Sequence, residues 1–123
     1  ETLDLGSRKL RINGIEVTAN VRAELYFDED TDLSWLEGGE LEETTRKIDA
    51  GILVPTVVRV VASAKDCEDG VDVLCGCLLY GMADAMSAVN YHGMVEQAIA
   101  CLHDNTKAMA ERLSKFYSAG GAS

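Results

Sequence analysis

The stretch Leu25–Gly39 reads LYFDEDTDLSWLEGG, with Asp28, Asp30 and Asp32 alternating and Ser34 next in phase. Carboxylates at alternating positions open a calcium-binding loop, which then needs a Gly for its sharp turn and a bidentate Glu to close. Leu33 and Gly39 stand at those two positions, and Glu37 and Glu40 fall out of register. The segment is therefore read as a solvated acidic loop.

Thiols and imidazoles give two further constellations. Cys75 and Cys77 flank Gly76 in a strand-like run, which puts both thiols on one face; Cys67, Cys101 or His103 could complete a tetrahedral metal site. The paired C-x-x-C knuckles that specify zinc are absent, and the thiols lie among Leu74, Leu78 and Leu79, so reduced packing cysteines are expected. His92, Glu96 and His103 share one face of a helical stretch without the H-E-x-x-H spacing of a zinc protease, and read as a solvated face. No nucleophile elbow, phosphate-binding loop or dinucleotide fingerprint appears. General acid chemistry needs a carboxyl raised in pKa by an apolar pocket, and an open run of like charges does not supply one. A non-enzymatic protein is expected, with no cofactor and no resident metal.

Charge is concentrated. The formal net charge of 123 residues is −10. Nine acids (Glu24, Asp28, Glu29, Asp30, Asp32, Glu37, Glu40, Glu42 and Glu43) lie between Glu24 and Glu43 with no Lys, Arg or His. Bare nucleic acid and anionic membrane surfaces repel such a face, whereas basic protein or nucleoprotein surfaces attract it. Trp35, the one tryptophan, sits in the middle of this charge. Two roles are open for Trp35 and Leu36. Folding back to pin the loop on the core is the commoner fate; standing out makes an aromatic anchor for a partner.

The elements that must carry these residues follow from periodicity. Asn13-Gly14 favours a tight hairpin turn. Beyond it Ile15, Val17, Ala19, Val21, Ala23, Leu25 and Phe27 are apolar at every second position, which predicts a long half-buried strand. Leu10 and Ile12 continue the pattern on its short partner. GELEETTRKIDAG predicts a short helix closed by Gly51. ILVPTVVRVVASA and VDVLCGCLLYG, joined by KDCEDG, predict a second hairpin. From Ala83 to Tyr117 the period turns helical, with a break near NYHG and a stripe of Val95, Ile99, Leu102, Thr106, Met109, Leu113 and Phe116. The expected fold is α+β: an antiparallel sheet of about four strands, in two hairpins, with a long C-terminal helix packed on one face. One domain over residues 8–117 is expected, with residues 1–7 and 118–123 as flexible ends. No transmembrane run and no signal-like N-terminal segment is read, so a cytosolic location is expected.

Asp30–Leu36, DTDLSWL, is similar to a short segment of small uncharacterised proteins of bacteriophages and mobile elements, in which an acidic D-x-D-x-S-aromatic-Leu run follows an N-terminal strand. The matching residues are Asp30, Asp32, Ser34, Trp35 and Leu36. The resemblance implies a phage or prophage origin and an accessory role, without catalytic residues. Together with the charge, it leads to the expectation of an anti-CRISPR-like inhibitor. This would be a nucleic-acid mimic that occupies a basic host complex, such as a CRISPR effector, in the cytoplasm of a bacterial cell. Its contact surface would be Asp28, Glu29, Asp30, Asp32, Glu37, Glu40, Glu42 and Glu43, with Trp35 as anchor. The rivals are a structural protein that homodimerises through the C-terminal helix and a metal-binding protein using Cys75 and Cys77.

Overall fold

Asn13 and Gly14 have φ of 51° and 80°, the left-handed pair that a two-residue hairpin turn requires. They join β1 (Thr2–Ile12) to β2 (Ile15–Phe27), with Ile12 opposite Ile15. The computed structural model describes residues 1–121, with side-chain surroundings through Ser118. After β2 come α1 (Gly38–Asp49), β3 (Val54–Ser63), β4 (Gly70–Leu79), α2 (Met82–Tyr91) and α3 (Met94–Gly121). The strands form one antiparallel sheet in chain order, β1-β2-β3-β4. Helices α2 and α3 cover one face, making an α+β sandwich. No helix of the described residues is long and apolar enough to cross a membrane.

Of residues 1–7, expected as a loose end, Thr2–Ser7 are part of β1. Thr2, Leu3 and Asp4 pair with Glu24, Ala23 and Arg22. A bulge between Asp4 and Ser7 interrupts the alternation that would have announced the strand. Gly6 takes φ of 85° there, and its N–H is bound by Asp4 Oδ1 at 2.8 Å. At the other end, residues 118–121 continue α3 instead of leaving it, and residues 122–123 lie outside the described residues.

The core follows the predicted alternation. Ala19, Val21 and Ala23 of β2 lie beside Val58, Val60 and Ala62 of β3, and Ala85, Val89, Met94, Val95, Ala98 and Leu102 of the helices close over them. Small side chains let α3 come near. A Cβ on Gly70 would lie 1.9 Å from the carbonyl oxygen of Ala98 and 2.2 Å from the backbone N of Leu102. Gly70 is therefore the point where helix backbone meets strand backbone. Thr106 Oγ1 accepts from Glu68 N–H at 3.1 Å and Asn105 Nδ2 donates to Asp69 O at 3.2 Å, fastening the β3–β4 turn to the same helix.

The predicted helix break is real. Tyr91 ends α2, Gly93 has φ of 61°, and α3 begins at Met94. His92 therefore caps α2, whereas Glu96 and His103 belong to α3, so the three do not share one continuous helix face.

Candidate interaction surface

The acidic segment leaves the sheet at the end of β2. Asp28 N–H donates to Pro55 O at 3.0 Å, the last rung toward β3. The Asp28 carboxylate then accepts the N–H of Asp30 at 3.1 Å through one oxygen and the N–H of Gly76 at 3.3 Å through the other. Thr31 Oγ1 donates to Asp28 O at 3.0 Å. One turn on, Asp32 Oδ1 accepts the N–H of Ser34 at 2.8 Å, and this bond holds its carboxyl below the usual range. The D-x-D-x-D spacing is thus realised as two successive turns in which an aspartate side chain caps backbone two residues on. Both Asp28 oxygens and Asp32 Oδ1, which a calcium loop would turn toward an ion, are spent on N–H groups, while the Asp30 carboxylate holds no backbone.

Trp35 and Leu36 part company. Leu36 is buried to 8% exposure, whereas Trp35 is 67% exposed. Of the two roles left open, folding back is the fate of Leu36 and standing out is that of Trp35. Leu36 N–H donates to Leu33 O at 3.0 Å, closing a turn that sends adjacent side chains opposite ways. The Trp35 indole N–H donates to Asp32 O at 3.1 Å. Its ring is oriented by the loop and left in solvent.

The remaining acids stand on or before α1. Glu29, Asp30, Asp32, Glu37, Glu40, Glu42 and Glu43 are exposed and Asp28 is half-buried. No residue of α1 is buried. The helix is held at its C-terminal end, where Gly51, with φ of 74°, gives its N–H to Ile48 O and Ile52 gives its N–H to Lys47 O. That pair of bonds is the Schellman arrangement, the cap predicted from Gly51. Glu43 lies 3.6 Å from Lys47 and 3.9 Å from Arg46, and Lys47 Nζ also donates to Tyr80 Oη at 3.2 Å. Glu43 is therefore partly neutralised, and Glu40, Glu42 and Asp49 carry the open acidic charge of the helix.

Glu24, the first acid of the run, belongs to a different environment. On the sheet face opposite the helices it accepts from Arg22 Nε at 2.9 Å, from Tyr26 Oη at 2.8 Å and from Arg59 Nη1. The bond from Arg22, then those from Tyr26 and Arg59, lower its pKa from 4.5 to about 2. Arg22, Glu24 and Tyr26 were visible as the polar phase of the β2 alternation. Arg59 was not, because only the β2–β3 register sets it opposite Glu24.

The thiols do not form the pair read from their spacing. Leu74 pairs with Val58 and Cys77 with Thr56, which leaves Cys75 and Gly76 opposite Val57 in a bulge, with Gly76 at φ of 74°. The extra residue turns Cys75 to solvent and Cys77 toward the core. Burial raises the Cys77 pKa, so its thiol stays protonated. All four cysteines are free, and among the described residues no group of three His, Cys, Asp or Glu side chains is placed to hold a metal.

No family model, curated protein or solved structure matches the chain.

Proposed function

We propose that this chain is a non-enzymatic protein-binding module that presents a folded acidic surface, tipped by Trp35, to a basic nucleic-acid-handling partner. The observation that carries the reading is the exposure of Trp35 beside Glu29, Asp30, Asp32 and Glu37 on a loop ordered by its own hydrogen bonds. Charge on such a surface speeds encounter with Lys- and Arg-lined grooves and is screened by salt. An aromatic ring that is already oriented adds contact area at low entropic cost and slows release. The same charge disfavours direct binding to nucleic acid. In its sharpest form the module is a phage-encoded inhibitor that mimics nucleic acid on a host complex such as a CRISPR effector, in the bacterial cytoplasm. The resemblance of DTDLSWL supports that form.

The structure directs the test to acids whose side chains hold no backbone. Asp30, Glu37, Glu40 and Glu42 are changed together to Lys, sparing Asp28 and Asp32. Tagged wild-type and variant chains are used to capture partners from bacterial lysate at low and high salt. A basic nucleic-acid-binding protein retained by the wild type at low salt, released by added DNA and not retained by the folded variant is the expected result. Equal retention by the variant, or no displacement by DNA, overturns the reading.

A further inference from the structure

Helix α3 outruns the sheet it packs on. Its 28 residues extend about 42 Å, and every residue from Glu111 to Ser118 is exposed. The apolar stripe does not stop where the sheet does. Beyond the buried Leu102 and Thr106 it continues through Met109 to Leu113, 48% exposed, and to Phe116 and Tyr117, both 70% exposed. A groove of about 430 Å³ runs between this end of α3 and the β1–β2 hairpin tip, lined by Ile12, Ile15, Val17, Met109, Ala110 and Leu113 among others. Ile15, on the far wall, is itself exposed.

We propose that this overhang is a homodimer contact in which α3 pairs antiparallel with α3 of a second copy, about a two-fold axis at Leu113. The choice of a second copy rests on self-complementarity. With Leu113 on the axis, Phe116 falls opposite the partner's Ala110 and Tyr117 opposite the partner's Met109, so each large ring meets the smaller or more pliable residue. Ala110 and Met109 line the groove, so the two rings of one copy enter the groove of the other. A two-fold contact of this kind is closed and leaves no open-ended surface. Each aromatic ring contributes roughly 150–250 Å² when fully buried. With Leu113 and Ile15, the pair brings each side toward the roughly 800 Å² of a standard interface.

Sedimentation velocity on the full chain, from low to high micromolar, tests the contact, with far-UV circular dichroism to verify folding. The expected result is a concentration-dependent dimer that the paired changes Phe116→Glu and Tyr117→Glu convert to monomer. Leu113→Glu, which sets two like charges face to face on the axis, also gives a monomer. A chain that stays monomeric overturns the proposal, including one that remains monomeric while binding an added amphipathic helical peptide. A dimer indifferent to the aromatic changes or to Leu113→Glu overturns it as well.

Discussion

The indole N–H of Trp35 donates to the carbonyl oxygen of Asp32 at 3.1 Å while most of the ring remains in water. The bond links the aromatic residue to the turn that the Asp32 carboxylate itself caps through Ser34. Ring position and local charge are thereby set by one short loop, and the loop is seated by Leu36 rather than by Trp35.

Neighbouring substitutions should therefore have opposite consequences. Leu36→Ala removes a buried side chain and costs about 2 kcal/mol or more, near the low end for buried leucines because the site is peripheral. Trp35→Ala changes stability by no more than about 0.5 kcal/mol, as for ordinary surface positions. Urea midpoints of the two variants measure the contrast. Equal destabilisation would mean that the ring is part of the core after all.

Gly70 should tolerate no side chain. Gly70→Ala drives a methyl group into the backbone of Ala98 and Leu102. Neither strand nor helix can yield cheaply, so the loss should reach about 3 kcal/mol or more, the upper range for overpacking. Thermal unfolding reads it. A variant as stable as the wild type would show that α3 does not lie this close to β4.

Acid sensitivity should trace in part to Glu24. Its folded pKa of about 2 lies below the unfolded value of 4.5. The carboxylate therefore contributes its full stabilisation above pH 4.5, and that contribution fades as pH falls toward 2. Glu24→Gln should accordingly be less stable than wild type at neutral pH and approach it as acid is added. Parallel urea titrations across that range follow the difference, and a gap independent of pH would remove Glu24 from the account.

Thiol chemistry should separate the two cysteines of the bulge. Cys75 is exposed, while the Cys77 thiol is partly buried and raised in pKa by that burial. Under native conditions an alkylating reagent should modify Cys75 well before Cys77, because only the thiolate reacts. Peptide mass analysis of a time course shows the order. Simultaneous modification would mean that the bulge is not formed in solution.

Much of this fold is written locally. Asn13-Gly14 determines the first hairpin because few other pairs accept two positive φ values in succession. The alternation from Ile15 to Phe27 determines which face of β2 is buried; Gly51 and the NYHG break determine where α1 ends and where α2 hands over to α3. The acidic segment was also legible as charge, because composition does not depend on packing. Other features depended on partners distant in the chain. The bulge at Cys75 and Gly76 exists only against β3, and it separates two thiols that spacing alone would align. Thr2–Ser7 become strand only because β2 offers an edge to pair with. Trp35 and Leu36 are both large and apolar, and which of them is buried was settled by the turn at Leu33 and by Asp28 reaching Gly76 across the sheet. Periodicity drew the α3 stripe at full length, but the width of the sheet decided that Leu102 lies in the core and Phe116 in solvent. Short-range chemistry sets the conformation of each segment, and the long-range competition for buried surface sets which side chains remain for a partner.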